Sequence, residues 1–274
     1  MPELPEVETT RRGIEPWLAG QQVGRIDIRQ PRLRWPIPVD DIMALQGQRI
    51  VGVRRRAKYL LVDFETGSAV WHLGMSGSLR LVEQVDGPRK HDHVDWWLPN
   101  GKILRYHDPR RFGALLWQPD GQLLPQLAGL GPEPLDDVAT TGLTAESLYQ
   151  SSRGKRQAIK LFIMDNHVMV GVGNIYANES LFLAGIRPTT PAGRISQVRY
   201  ERLLGCIRDV LEKAVEQGGT TLRDFVNSDG QPGYFAQQLN VYGHGNDPCP
   251  VCQTRLKEIR LGQRSTVYCV NCQH

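Results

Sequence analysis

The chain has 274 residues, of which 40% are hydrophobic and 23% charged, with a net charge of +4. That length is enough for two domains with real cores, and no apolar run is long enough to span a bilayer, which excludes a membrane-spanning helical protein. The net charge is too small to identify a nucleic-acid partner by itself, so the placement of the cations matters more than their sum.

The chain opens Met1-Pro2-Glu3-Leu4-Pro5-Glu6-Val7-Glu8. A helix is expected from about Pro5 to Ile14, with Pro5 as its first residue and Glu6 and Glu8 in its first turn. Short alternating or β-branched runs follow at Val23–Arg29, Arg49–Arg56, Tyr59–Phe64, Ser68–Leu73, Ser78–Val82, His93–Leu98, Lys102–Tyr106 and Ala114–Gln118. Turn residues separate them at short, even spacing, the pattern of a sandwich or flattened barrel. The proline-rich, acidic stretch Gly131–Asp137 reads as part of a linker. Beyond it the period changes to helical, with helices expected at Lys155–Asp165, Ile175–Ala184 and Ser196–Gln217; Gly185 closes the second and Gly218-Gly219 the third. A Gly/Asp/Pro-rich loop at Ser228–Gly233 leads towards the C-terminal cysteines.

Two features carry chemistry at the chain ends. Removal of Met1 would leave Pro2 as a free secondary amine next to Glu3. A terminal amine with a pKa near 7.7–8.0 is about 10% neutral at pH 7, against about 0.04% for a lysine, so it is the better nucleophile if the positive end of a helix lowers its basicity further. At the other end, Cys249/Cys252 and Cys269/Cys272 form two C-x-x-C pairs, the spacing of a closed four-thiolate zinc site that is structural rather than catalytic. The opening residues do not read as a signal peptide and Cys206 is left over, so a reducing cytosol is expected and disulfides are disfavoured. Cys206 falls on the apolar face of the third helix and reads as a core thiol.

Three further clusters lie between. Arg54-Arg55-Arg56-Ala57-Lys58 ends a strand, and alone such a run reads as a solvated face. His107-Asp108-Pro109-Arg110-Arg111-Phe112-Gly113 suits a loop presenting a guanidinium fork and an aromatic wedge. Gly171-Val172-Gly173-Asn174-Ile175-Tyr176 opens a helix whose N–H groups could hold a phosphate, with Asn174 as its cap.

PELPEVE, RRAKYLL, HLGMSGSLR, DPRRFG, GVGNIYANESL, SDGQPGYF and the four-cysteine finger together resemble the bacterial formamidopyrimidine-DNA glycosylases over essentially the whole chain. The resemblance implies an α+β multidomain protein. An N-terminal β-sandwich with a leading helix would span 1–131, a linker 132–152, a helical helix–two-turn–helix domain 153–239 and a zinc finger 240–274. It implies Pro2 as Schiff-base nucleophile, Glu3 as proton donor, Lys58 in β-elimination and Arg264 in phosphate binding and δ-elimination. It also implies DNA contacts from His72, Met75, His91, Arg110, Arg111, Phe112, Lys155 and Asn174, with Met75, Arg110 and Phe112 filling the gap left by an extruded base. The finger has Val267 where an aromatic is common in the family. The expected partner is double-stranded DNA carrying oxidised purines or abasic sites. The protein would act as a monomer in the bacterial cytoplasm, associated with the nucleoid through DNA, and hold one structural Zn2+.

Three other readings compete. An endonuclease VIII-type enzyme would share the fold but prefer oxidised pyrimidines; its N-terminus resembles PEGPE, whereas this chain has Leu4. A non-enzymatic zinc-finger DNA-binding protein would leave Pro2 inert. A tautomerase using Pro2 as general base would give the finger and the cationic loops no purpose.

Overall fold

The computed structural model describes residues 2–219 and 238–274, so the SDGQPGYF segment lies outside the described residues. Two compact units emerge: residues 2–128 with 217–219, and residues 129–216 with 238–274.

The first unit is a sandwich. Helix α1 (Leu4–Leu18) is followed by β1 (Ile26–Ile28), the short α2 (Val39–Met43), β2 (Gly52–Arg56), β3 (Tyr59–Phe64), β4 (Gly67–His72), β5 (Ser78–Glu83), β6 (Asp92–Trp97), β7 (Lys102–His107) and β8 (Ala114–Pro119). One antiparallel sheet runs β1-β6-β7-β5 and the other β2-β3-β4-β8. Inward residues of both sheets share one core, in which Trp71 of β4 meets Trp96 edge-on (centroids 5.7 Å apart) and Tyr106 at 5.2 Å across the sandwich. Helix α1 packs on β2 and β3 of one sheet and on β5 of the other, so it covers the seam between two edge strands.

The helix starts one residue earlier than the Pro5 signal suggests. Glu3 is its N-cap, and the Glu6 carboxylate accepts from the Glu3 N–H at 2.8 Å, the reach-back arm of a capping box. It also runs on to Leu18, with Pro16 in its final turn.

The second unit is helical, with a small β-hairpin. It contains α3 (Val138–Thr141), α4 (Ala145–Ser152), α5 (Ile159–Ile163), α6 (Asn174–Leu183), α7 (Gln197–Glu216), β9 (Lys257–Leu261) and β10 (Arg264–Tyr268). The stretch 132–152, expected as a linker, instead carries α3 and α4. Asp137 caps the first through its side chain, Thr144 and Ser147 form a capping box on the second, and α4 packs on α7. The helix expected over 155–165 is confined to Ile159–Ile163. Residues 155–158 give their backbone to another partner, with Ala192 N–H donating to the Gln157 carbonyl (2.8 Å) and Gly193 N–H to the Lys155 carbonyl (3.0 Å).

The finger is anchored to α6. Its buried Val267 packs with Phe182, Val241 and Leu256, and its N–H donates to Asn178 Oδ1 at 2.9 Å. The buried Glu179 carboxylate accepts from the backbone N–H groups of Asn240, Val241 and Tyr242 at 2.8–2.9 Å.

Candidate active site and DNA-binding surface

Strand register gathers most of the expected residues at one end of the sandwich. Arg56 pairs with Tyr59, Tyr59 with His72, and His72 with Ala114, so β2, β3, β4 and β8 all reach the same edge. In the other sheet His107 pairs with both Ser78 and Asp92. The segments 57–58, 73–77, 108–113 and the residue His91 therefore all leave the sheets from this end.

Helix α1 brings the N-terminus there too. Arg11 Nη1 donates to the Val53 carbonyl at 3.3 Å, and Arg55 Nε donates to Glu8 Oε2 at 3.3 Å. As the helix is followed back towards its start, β2 advances, so the two run antiparallel. Pro2 and Glu3, both buried, thus lie towards the Lys58 end of β2.

Lys58 occupies the two-residue turn between β2 and β3. Its neighbour Ala57 is held at φ 54°, a left-handed conformation that costs a β-carbon residue about 1 kcal/mol and so implies that the surroundings hold the turn. Arg55 contributes by donating to the Ala57 carbonyl at 3.0 Å. The cationic run is therefore only partly a binding face: Arg54 pairs with Asp63 (2.8 Å) and Arg55 with Glu8, and both act in the fold.

Tyr59 places its ring 4.8 Å from that of His72. Burial, followed by the fields of Arg34 and Lys58, pushes the His72 imidazole down to about 4. His72 is therefore neutral at neutral pH. Because Nδ1 accepts from the Gly74 N–H at 3.0 Å, the ring proton resides on Nε2, and His72 can offer DNA a hydrogen bond but no charge.

Leu33, Arg34, His72, Gly74, Met75, Arg111 and Phe112 line a cavity of about 590 Å³. Met75 is 38% and Phe112 45% exposed, unusual for large apolar side chains, and the Arg110 guanidinium lies 4.8 Å from the Phe112 ring centre. Sequence reasoning overlooked Arg34, whose N–H donates to the Gly113 carbonyl at 3.0 Å. No motif marked it, and only the cavity reveals it. His91 has φ 75°, its carbonyl accepts from the Asp108 N–H at 3.0 Å, and its ring lies 6.2 Å from those of His93 and His107.

The second unit carries the remaining residues. Exposed Lys155 shares a cavity of about 440 Å³ with Arg156 and Arg194, which makes the recess cationic. Asn174 is the first residue of α6 and not its cap. Gly173, in extended conformation, takes the cap position, because the preceding Gly-Val-Gly run lets the backbone turn into the helix without a side chain. Arg264 is the exposed first residue of β10, just after a turn in which Gly262 (φ 55°) and Gln263 (φ 61°) are both left-handed, the geometry of a tight two-residue hairpin.

The four cysteine sulfurs of the finger lie within 4.8 Å of one another, with Cys249–Cys272 at 3.9 Å and Cys252–Cys269 at 3.4 Å. A tetrahedron with Zn–S bonds near 2.3 Å has sulfurs about 3.8 Å apart, so the cage fits one structural zinc with no open position. The Cys272 N–H donates to Cys269 Sγ at 3.4 Å, the kind of backbone bond that would support a zinc-bound thiolate.

Comparison with known proteins agrees with this arrangement. Residues 1–115 match the formamidopyrimidine-DNA glycosylase N-terminal domain, 130–226 the H2TH domain of the same enzymes, and 246–274 the zinc finger found in FPG and IleRS. The chain is 60% identical to formamidopyrimidine-DNA glycosylases of Pseudomonas putida and of Photobacterium damsela subsp. piscicida, over the full length of each. Among solved structures it is similar to MutM (Fpg) of Thermus thermophilus (36% identity, TM-score 0.87, covering 99% of this chain and 98% of that one). It is also similar to Lactococcus lactis Fpg in complex with DNA containing an abasic site (30% identity, TM-score 0.89, 99% of each chain). A sandwich with Pro2 and Lys58 at one end, an H2TH domain and a four-thiolate finger, matched along the whole chain, show that it belongs to the formamidopyrimidine-DNA glycosylase family.

Proposed function

We propose that this protein is a base-excision repair enzyme, a DNA glycosylase and abasic-site lyase that removes oxidised purines, with Pro2 as its nucleophile. The main support is the antiparallel run of α1 along β2, which carries Pro2 and Glu3 towards the Lys58 turn and the exposed Met75, Arg110 and Phe112. The similar Lactococcus lactis structures contain Fapy-dG or abasic-site DNA, which agrees with this substrate class.

A stacked base cannot be attacked, so the nucleotide is first turned out of the duplex at a cost of a few kcal/mol. Met75 and Phe112 fill the gap, and Arg110 donates to the acceptor edge of the orphaned partner, favouring lesions opposite cytosine. The neutral Pro2 nitrogen attacks C1′ while Glu3 protonates the ring oxygen as the C1′–O4′ bond opens, and the base then leaves with the glycosidic electron pair. A secondary amine yields an iminium cation, which acidifies the adjacent C–H and permits loss of first the 3′ and then the 5′ phosphate. Lys58 serves the first elimination and Arg264 the second. Lys58, Arg111, Lys155, Asn174 and Arg264 clamp phosphates, the salt-sensitive part of affinity, and His91 and the neutral His72 add further DNA contacts. Zinc takes no chemical step and shapes the finger that carries Arg264. Such an enzyme works in the bacterial cytoplasm, on nucleoid DNA.

Borohydride trapping tests the reading directly. Duplexes carrying 8-oxoguanine or a formamidopyrimidine should give more covalent adduct than one carrying thymine glycol, with the sugar remnant on the peptide beginning at Pro2. A remnant on Lys58, or no adduct at all, would overturn the Pro2 mechanism, and preference for thymine glycol would move the enzyme to the pyrimidine-specific branch.

A further inference from the structure

Asp108 is fully buried, and every polar atom it has is engaged. Its Oδ1 accepts from Ser76 Oγ at 2.8 Å and from the Arg110 N–H at 3.2 Å. Its Oδ2 accepts from the Gly113 N–H at 2.9 Å and from the Tyr106 hydroxyl at 3.1 Å. Its carbonyl is 2.8 Å from His93 Nε2 and accepts from the Arg111 N–H, and its own N–H donates to His91. Ser76 belongs to the segment that presents Met75; Arg110 and Gly113 bracket the segment that presents Phe112.

The same two segments touch backbone to backbone. Gly74 has φ 68°, and a Cβ added there would lie 2.4 Å from Gly113 N and 2.5 Å from the Phe112 carbonyl carbon. No side chain fits between them at this point, so the carboxylate of Asp108 and this glycine contact both tie the two loops together. A charged acceptor serving two loops in a dry site fixes their separation more tightly than neutral bonds would.

We propose that Asp108 is a positioning residue that locks the Met75 loop and the Arg110–Phe112 loop into one rigid wedge, so that filling the gap and reading the opposite base occur as a single event. The idea rests on the gap-filling role given above to Met75, Arg110 and Phe112. It predicts that loosening the lock impairs extrusion and opposite-base discrimination without comparable harm at a site that is already extruded.

The test uses the full-length zinc protein and three variants: Asp108→Asn, which keeps the shape but replaces one acceptor oxygen with a donor; Ser76→Ala, which cuts only the tie between loops; and Gly74→Ala, which pries them apart. Single-turnover excision of 8-oxoguanine opposite cytosine and opposite adenine, 2-aminopurine fluorescence beside the lesion, and strand cleavage at a pre-formed abasic site are measured together. The unstacking rate and the C-over-A ratio should each fall roughly tenfold, the effect of losing a charge-assisted bond, while abasic cleavage falls severalfold less. If Asp108→Asn does not fold, Ser76→Ala decides the matter. Equal losses on duplex lesion and abasic site, or an unchanged C-over-A ratio in Ser76→Ala, would overturn the proposal. Met75→Ala and Phe112→Ala serve as controls: if they leave unstacking intact, the wedge reading itself fails, whereas if only they slow it, Asp108 has no positioning role.

Discussion

Glu8 of the first helix and Arg55 of the second strand meet at 3.3 Å, and this contact helps to set where the N-terminus lies along the sheet. Burial alone would raise the Glu8 carboxyl, but hydrogen bonds from Arg11 and Arg12 and the fields of Arg11 and Arg55 outweigh it and hold the group below its ordinary 4.5. A depressed carboxyl contributes stability above its unfolded pKa and loses it as pH falls through the folded value. Glu8→Gln should therefore flatten the acid limb of the stability profile in the window that opens near the ordinary 4.5 and runs to lower pH, measured as the urea midpoint against pH. A wild-type profile and a variant profile that run parallel throughout that window would show that Glu8 carries no such linkage.

Glu3→Gln should block base excision while still allowing cleavage at a pre-formed abasic site, where the aldehyde already presents an electrophile. Pro2→Gly, which leaves a primary amine, should bind lesion DNA but form the trapped adduct far more slowly. An uncleaved N-terminal extension turns the proline nitrogen into an amide and should abolish both reactions. These outcomes are read on one gel series, comparing lesion duplex with abasic duplex.

Arg110→Ala should narrow the preference for cytosine opposite the lesion by roughly 1–3 kcal/mol, the usual size of a lost bidentate base contact. Binding to an abasic site should suffer less. Titration against the four opposing bases checks this, and a uniform loss across all four would make Arg110 a backbone contact.

Removing zinc with a chelator, or replacing Cys249 by Ser, should abolish lesion-DNA binding and leave the sandwich folded. Among the described residues the finger's apolar cluster is small, with Val241, Leu256 and Val267 gathered around the cysteines themselves and Phe182, so metal binding supplies much of its folding energy. Near-ultraviolet circular dichroism of the six tryptophans, all of which lie in the first unit, would report the sandwich separately from binding. Undiminished affinity in the metal-free protein would show that the finger is dispensable for DNA binding.

Most of the strands were legible because period-two apolar runs broken by turn residues have few other solutions, and Tyr59–Phe64 appears in the structure with the same ends. The zinc cage was legible because paired C-x-x-C spacing constrains four thiolates to one point. The short helices α3 and α4 escaped notice because four and eight residues are too few to show a helical period, and their signals are caps supplied by Asp137 and Thr144. Lys155–Asp165 promised more helix than forms, because residues 155–158 bond to 192–193, a pairing no local pattern announces.

The sequence by itself determined the chemistry available: a proline that can become a free amine, a lysine closing a cationic run, an arginine-aromatic loop and four thiolates. Residue type and short-range spacing decide such things, and both are written along the chain. Tertiary structure alone decided which of these meet. Arg54 and Arg55 are spent on Asp63 and Glu8, His72 is left neutral by burial, and Asp108 binds two loops 32 residues apart. Charge state and contact depend on what burial removes from water and on which distant donors arrive there, and both follow from the closing of the two sheets over their shared core.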